Sequence, residues 1–296
     1  MTIPKLIHVC WFGGGRMSRQ IQRCMRAIYA LESHGYRVQF WDESNYDVQA
    51  SPRVHAAYSA KRWSLVSNYV RLDVLNRHGG IYLDTDIEVV RPFDELLSYD
   101  FFLGFMWDCA LGTAVIGSVP GHPILQDILR SYDEIPTAFK SPNNDTFTEY
   151  FLNMVPGFQL NGREQAIANV FVADKFVFEQ PSLFKRKNYT IHHFEQSWKP
   201  NSSAKVYVKA AVIKLCSLWL YRKYVCWHSL RISPYHDIFR RVKAREGAKR
   251  FVPAASRLKP SEHSLRSVRG LRALWHRSNT NDGRHFADAA VGSAHG

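Results

Sequence analysis

The sequence has few of the patterns that predict secretion or disulfide cross-links. Its five cysteines, at positions 10, 24, 109, 216 and 226, are odd in number and have no metal-binding or redox spacing. They predict reduced thiols in a cytosolic setting. The amino terminus has no basic region followed by a long apolar core and a cleavage site, so we predict no signal peptide. No internal repeat is visible. With 296 residues, the chain is long enough for one large domain, or for one domain with an appendage.

Acidic residues are scarce in the last third of the chain. Residues 1–198 hold 19 basic and 21 acidic side chains, whereas residues 199–296 hold 20 basic and 5 acidic ones. The first part is therefore nearly neutral, and the tail carries all of the net charge of +13. Nucleic acid is not a predicted partner, because the basic and aromatic residues form no known reading motif and the first part is neutral.

The tail begins with a predicted basic amphipathic helix at 201–232, whose clearest helical pattern covers 205–232. Its longest charge-free run, Leu215–Tyr221, is far short of the ~20 residues needed to cross a bilayer. A basic helix with aromatic side chains suits the interface of an anionic membrane. The alternative is an ordinary helix that packs on the rest of the protein with its cations in water. Residues 233–296 are predicted to form a basic, poorly ordered tail.

Two carboxylates stand at the centre of the most informative segment, His-Gly-Gly-Ile-Tyr-Leu-Asp-Thr-Asp at 78–86. Asp84 and Asp86 lie on the same face of an extended segment, where their charges repel unless a cation lies between them. Carboxylate oxygens suit Mg²⁺ or Mn²⁺. The preceding apolar residues predict a buried strand, so the acids follow its carboxyl end, where open α/β sheets build their sites. The alternative is a strand-end turn with two solvated acids.

A predicted helix at 63–78 delivers further polar residues to the same place. Asn68 and Arg71 are three positions apart and share one face of this helix, which runs directly into the acid-bearing strand. A guanidinium group beside metal-binding carboxylates suits a pyrophosphate, because it grips phosphate oxygens in a bidentate way. The alternative is a surface arginine paired with Asp73 or Glu88.

The segments 60–75 and 79–86 closely resemble glycosyltransferase family 32, sugar-nucleotide transferases with an Asp-x-Asp motif that occur in capsular polysaccharide and mannan synthesis. Four more blocks in the expected order extend the resemblance over most of residues 1–198; they lie at 3–14, 40–47, 114–123 and 191–198. The resemblance implies a GT-A fold, a Rossmann-like α/β sandwich that binds a nucleotide sugar through a divalent metal. It also implies a retaining reaction.

The resemblance to this family, and to the related glucosylating bacterial toxins, implies roles for individual residues. Trp11 would stack on the nucleotide base, and Arg71 would meet the diphosphate or the sugar. Asp84 and Asp86 would bind Mn²⁺ or Mg²⁺ together with ribose or sugar hydroxyls. We expect Asn68 to hydrogen-bond a sugar hydroxyl, although many relatives have Asp at its position, so the donor sugar stays open.

The last block of the resemblance lies near the end of the predicted catalytic part. Ser197 and Trp198 would close over the phosphates from a carboxyl-terminal loop. The adjacent His192 and His193 face opposite sides of a strand, so at most one of them approaches the metal. The motif favours His193.

The order of predicted elements alternates between strands and helices, which is typical of an α/β domain with a mainly parallel sheet. We assign residues 1–200 to the catalytic domain. The predicted function is metal-dependent, retaining transfer of a sugar from a nucleotide-sugar donor, with UDP-sugars favoured and GDP-sugars open. The acceptor would be a glycan or a lipid-linked saccharide in surface or capsular polysaccharide synthesis. We expect the enzyme in the cytoplasm, with a peripheral position at the inner face of the cell membrane as the further expectation. Two alternatives are a nucleotide-sugar hydrolase and a non-enzymatic basic protein that binds membrane or nucleic acid.

Overall fold

The computed structural model describes residues 1–134, 143–195, 220–231 and 233–250, with side chains as far as residue 245. The helices in these ranges are α1 (Arg19–Tyr29), α2 (Pro52–Ser59), α3 (Trp63–His78), α4 (Pro123–Glu134), α5 (Asn143–Met154), α6 (Lys175–Phe178), α7 at 220–231 and α8 (His236–Arg250). The strands are β1 (Leu6–Cys10), β2 (Arg37–Trp41), β3 (Gly80–Leu83), β4 (Ile87–Val89), β5 (Phe101–Trp107), β6 (Ala110–Ser118), β7 (Gln165–Ile167), β8 (Val170–Ala173) and β9 (Thr190–His192).

Seven of these strands form one sheet, in the order β2-β1-β3-β6-β5-β8-β7. The strands β1, β2, β3, β5 and β8 run in one direction, and β6 and β7 run in the other. The predicted α/β domain with a mainly parallel sheet is confirmed. Strands β4 and β9 stand apart as a two-stranded antiparallel ribbon, which the sequence analysis did not foresee.

Two apolar cores lie on the two faces of the sheet, as the alternation of side chains along β3 shows. Tyr82 faces the core formed with α2 to α5, whereas Ile81 and Leu83 face the core formed with α1. All three side chains are buried, and burial of each large apolar side chain stabilises the fold by roughly 1.5–3 kcal/mol. The sheet therefore has the two covered faces that a parallel-rich α/β domain requires.

A pair of glycines joins α3 to β3 without a loop. Gly79 and Gly80 have φ values of 61° and 105°, which L side chains rarely adopt. A Cβ atom on Gly80 would collide with the carbonyl oxygen of Leu6 on β1. The close approach that glycine permits here puts β3 beside β1 and fixes the place where Asp84 follows the strand.

A buried histidine lies beneath the same turn. His8 Nε2 is 2.8 Å from the Gly79 carbonyl oxygen, and its Nδ1 accepts a hydrogen bond of 3.0 Å from Trp41 Nε1. Trp41 can only donate, so the neutral ring carries its proton on Nε2 and satisfies both partners. Burial lowers the pKa of His8 from 6.5 to about 4.

We expect His8 to make the protein less stable in mild acid. A depressed pKa in the folded state gives stability that is fully present above pH 6.5 and is lost as the pH falls toward 4, here roughly 3 kcal/mol in total. Urea unfolding at pH 7.5 and pH 5 measures the loss, and a His8→Gln variant, which has no titrating ring, is the control. An equal loss in both proteins would contradict the prediction.

The segments α7 and α8 pack against the α/β domain. Tyr235, just before α8, is buried in the core on the α5 side, and its hydroxyl lies 3.3 Å from Glu149 Oε1. Residues 236–250, in the predicted poorly ordered tail, are helical. Of the predicted helix at 205–232, the structure describes residues 220–231, and these are helical. Residues 205–219 and 251–296 lie outside the described residues. Nowhere in the described ranges does a helix combine the length and apolar content needed to span a bilayer.

Candidate metal and donor site

The two aspartates occupy the turn between β3 and β4. Asp84 donates its backbone N–H to Ala114 O on β6 at 2.9 Å, and its carbonyl accepts from Ile87 N at 3.1 Å. These bonds hold Asp84-Thr85-Asp86 in a tight connection at the carboxyl end of β3. The Asp86 carboxylate is largely buried, and that of Asp84 is partly exposed. The predicted placement at the end of a buried strand is confirmed.

Arg71 holds the Asp84 carboxylate in place through an ion pair. Its Nη2 is 3.2 Å from Asp84 Oδ1, its Nη1 donates to Thr113 O at 2.8 Å, and its Nε donates to Ser67 O at 3.2 Å. The guanidinium group is buried and lies 4.5 Å from the centre of the Tyr82 ring. Each of its three nitrogens has a partner within the protein, so the structure supports a positioning role for Arg71 toward Asp84.

Tyr82, to which the sequence analysis assigned no role, also holds Asp84. Its ring lies in the core, and its hydroxyl donates to Asp84 Oδ1 at 2.7 Å. The strand places Tyr82 and Asp84 on the same face, so the spacing was visible in the sequence. Arg71 and Tyr82 therefore orient one oxygen of Asp84 and leave the other, Oδ2, with no hydrogen bond from these two groups.

Asp86 is held by the segment that follows β9. Its Oδ2 accepts the Glu195 backbone N–H at 2.8 Å, and its Oδ1 lies 3.3 Å from His192 Nε2. Its carbonyl oxygen accepts the His193 N–H at 3.1 Å. Burial opposes ionisation of Asp86, but the His192 ring and the Glu195 N–H together hold its pKa well below the usual range. The carboxylate is therefore charged at neutral pH.

His192 is in turn held by a buried carboxylate. Its Nδ1 is 2.7 Å from Glu179 Oε2, and Glu179 is almost completely inaccessible to solvent. Burial would lower the pKa of His192, but the Asp86 and Glu179 carboxylates outweigh burial and raise it. A carboxylate on the second nitrogen of a metal-binding histidine fixes the orientation of the ring. Nothing in the sequence pointed to Glu179, which lies 13 residues before its partner.

Asp84, Asp86 and His192 form a group that could hold a metal ion. One ligand atom of each lies within 4.8 Å of the others. Two carboxylate oxygens and one imidazole nitrogen are donors that fit Mn²⁺, and the oxygens also fit Mg²⁺. The motif favoured His193 as the further ligand, but the structure reverses that choice. His193 Nε2 lies 2.9 Å from Glu88 Oε2, on the opposite side of the β9 strand.

The structure describes two of the four other residues that are predicted to bind the donor, Trp11 and Asn68. The Trp11 ring is half-buried, and its Nε1 donates to Gly15 O at 2.8 Å, which closes the glycine turn after β1. Asn68 is partly exposed on α3 one turn before Arg71, and its carbonyl accepts from Asn143. Ser197 and Trp198 lie outside the described residues. The roles of these four residues stay predictions.

The chain matches a family of known proteins over residues 15–103, described as the glycosyltransferase sugar-binding region containing a DXD motif. It is 24% identical to an uncharacterized glycosyltransferase of Acanthamoeba polyphaga mimivirus over 250 residues, which are 75% of this chain and 90% of that protein. It is 28% identical to inositol phosphoceramide mannosyltransferase 3 of Schizosaccharomyces pombe over 133 residues, 44% of this chain and 37% of that protein.

The chain is also similar to the solved structure of the PaToxG glycosyltransferase, at 19% identity and a TM-score of 0.39. The match covers 53% of this chain and 70% of that protein. The matched DXD region includes Asp84 and Asp86, the two residues that the structure places at the end of β3. The chain is a transferase enzyme of the glycosyltransferase class. Within that class it is similar to family 32.

Proposed function

We propose that this enzyme transfers a sugar, with retention of anomeric configuration, from a nucleotide-sugar donor to a glycan or lipid-linked acceptor in the presence of Mn²⁺ or Mg²⁺. UDP-sugars are the favoured donors, and GDP-sugars are the second choice. The proposal rests on one observation: ligand atoms of Asp84, Asp86 and His192 lie close together at the carboxyl end of β3. This is the edge at which open α/β sheets bind nucleotides.

A neighbouring protein group holds each of the three candidate ligand side chains in place, which suits a site that must not reorganise during the reaction. Arg71 and Tyr82 orient Asp84, the Glu195 N–H orients Asp86, and Glu179 orients His192. A bound cation would stabilise the negative charge that develops on the leaving diphosphate. Binding it requires a neutral His192, so the ring would release a proton on loading.

The donor would lie across the turn that contains Asp84 and the glycine turn that follows β1. Trp11 would stack on the base, since one part of its ring is exposed while the Gly15 carbonyl fixes its orientation. Asn68 would hydrogen-bond a sugar hydroxyl from α3. Ser197 and Trp198 would close over the phosphates.

The retaining step needs no protein base. The acceptor hydroxyl would approach from the face that the diphosphate leaves, and would give its proton to the departing phosphate oxygen. A covalent route would instead need a carboxylate about 3–3.5 Å from the anomeric carbon. Glu179 is the buried carboxylate beside the site, but it is bonded to His192 and closed to solvent. The direct route is therefore the one we propose.

A lipid acceptor is consistent with the relatives. The Schizosaccharomyces pombe protein is named for mannosyl transfer to inositol phosphoceramide, and a protein of Saccharomyces cerevisiae, 36% identical over 62 residues, is named as a mannosyl phosphorylinositol ceramide synthase. This chain spans 37% and 16% of their lengths. We therefore propose the lipid-linked class of acceptor rather than a particular lipid.

The donor site is tested by calorimetry of UDP and GDP with the purified protein, with and without Mn²⁺. We expect one nucleotide to bind only with the metal, and an Asp86→Ala variant to lose that binding. Asp47→Ala, which changes an exposed acid between β2 and α2, should bind as the wild type does. Failure of both nucleotides to bind under every metal condition would overturn the proposal.

A further inference from the structure

An exposed apolar tip projects from the turn between α6 and β9. Leu183 and Phe184, which are adjacent in the sequence, are 68% and 78% exposed. Single exposed apolar residues are common on protein surfaces, whereas adjacent large ones mark contact sites. The short 3-10 turn Leu183–Lys185 that carries them belongs to no part of the donor site described above.

The backbone of this turn is strained and is nevertheless held firmly. Phe184 and Lys185 both have φ values of 55°, in the left-handed region that side chains with a Cβ avoid. The buried Asn188 clamps the base of the turn: its Oδ1 accepts the N–H and the hydroxyl of Ser182 at 2.8 and 2.7 Å. Strain that is kept by a dedicated clamp is typical of functional segments. The clamp holds the base of the backbone turn that carries the two exposed apolar side chains.

Three consecutive cations, Lys185, Arg186 and Lys187, surround the apolar tip. All three are exposed. Lys185 is anchored to Glu88 at 2.6 Å, and Lys187 lies 3.4 Å from Asp174. The Arg186 guanidinium lies 5.8 Å from the centre of the Phe184 ring. An apolar tip with a collar of cations matches the boundary of an anionic bilayer, which offers acyl chains below a layer of phosphate groups.

We propose that the tip formed by Leu183 and Phe184 inserts into the headgroup region of an anionic phospholipid bilayer, with the exposed Arg186 in contact with lipid phosphates. The surface differs from the basic segment 205–232, for which the sequence alone suggested a membrane role. It does not depend on the proposed donor, because vesicle binding requires no nucleotide.

The tip also has a direct link to the metal site. Glu88 receives Lys185 on one carboxylate oxygen and His193 on the other. Glu88 and His193 lie on, or next to, the paired strands β4 and β9, which border Asp86 and include His192. A bilayer bound at the tip would therefore lie on the side of the protein where the ribbon of β4 and β9 carries His192 and adjoins Asp86.

The test is co-sedimentation of the full chain with phosphatidylcholine vesicles, with and without a minor fraction of phosphatidylglycerol. We expect binding to the anionic vesicles, and about tenfold weaker partition for the Leu183→Ser/Phe184→Ser double variant, because the apolar area that enters the bilayer is lost. Tyr29→Ser, which alters an exposed aromatic residue of α1, is the matched control and should bind as the wild type does. Arg186→Glu should weaken binding to the anionic vesicles and leave binding to neutral ones unchanged.

Salt separates the tip from the basic tail. Electrostatic attraction by the tail falls steeply with ionic strength, whereas apolar insertion does not, so the difference between wild type and double variant should persist in high salt. Equal sedimentation of the two proteins at every salt concentration would overturn the proposal, and so would failure of the wild type to bind any vesicle. Urea unfolding of the double variant verifies that it is folded, and a change in its oligomeric state would instead make the tip a contact between copies.

Discussion

An Asp86→Asn variant is expected to lose about a thousandfold in sugar-transfer turnover, or ~4 kcal/mol of transition-state stabilisation. The amide keeps a carbonyl oxygen that can accept the Glu195 N–H, so the turn between β3 and β4 should retain its shape. What is lost is the negative charge that binds the cation. Release of nucleoside diphosphate from a panel of donor sugars, with Mn²⁺ present, measures the effect.

Glu88→Gln is the matched control for this variant. Glu88 lies two residues later on β4, is also partly buried, and contacts His193 and Lys185 rather than the metal ligands. We expect its turnover to fall by less than about tenfold, because only orientation of the ribbon is affected. If both variants lost activity equally, the effect would belong to the ribbon, and Asp86 would not be a metal ligand.

Arg71→Met is expected to destabilise the protein by about 2–4 kcal/mol, somewhat less than the cost of removing one partner of a fully buried ion pair, because the Asp84 carboxylate is partly exposed. The substitution leaves the Thr113 carbonyl and the Asp84 carboxylate without their shared donor group. The free energy of unfolding from urea denaturation measures it. Arg77→Met, on the same helix, removes an exposed guanidinium group paired with Asp73 and should cost well under 1 kcal/mol.

A double-mutant cycle distinguishes the ion pair from general packing. When Asp84→Asn is already present, Arg71→Met should cost about 1–3 kcal/mol less than it does alone, since the carboxylate no longer needs a partner. If the two costs simply added, Arg71 would stabilise the protein through its contacts with Tyr82 and Thr113. The positioning role that we assign to it would then be wrong.

The parts of the fold that depend on local pattern were predictable. The helix at 63–78 matches α3, because its apolar periodicity and the following glycine define both ends. The strand at 80–83 and the place of Asp84 and Asp86 follow from a short apolar run between glycines and acids. Each of these predicted features depends on residues that lie within about ten positions of one another, a range over which the periodicity of apolar residues is informative.

The parts that depend on distant pairing were not predictable. The histidine that lies beside Asp86 is His192 rather than His193 because of the register of β9 against β4, in which His192 lies opposite Ile87. A shift of one residue would have exchanged the two side chains, and no local signal sets it. Likewise, Arg71 Nη1 donates to the Thr113 carbonyl of β6, a contact that a helix pattern cannot reveal.

The closed space beside Glu179 has a consequence for the history of this sequence. A Cβ atom on Gly112 of β6 would collide with the Glu179 carboxylate, which supports His192. A larger residue at 112 would displace the acid while the acid is present, whereas replacement of the acid by a smaller residue would remove this constraint on the glycine. We expect the two positions to vary together among descendants of a common ancestor, so that lineages without the glycine have also replaced the acid.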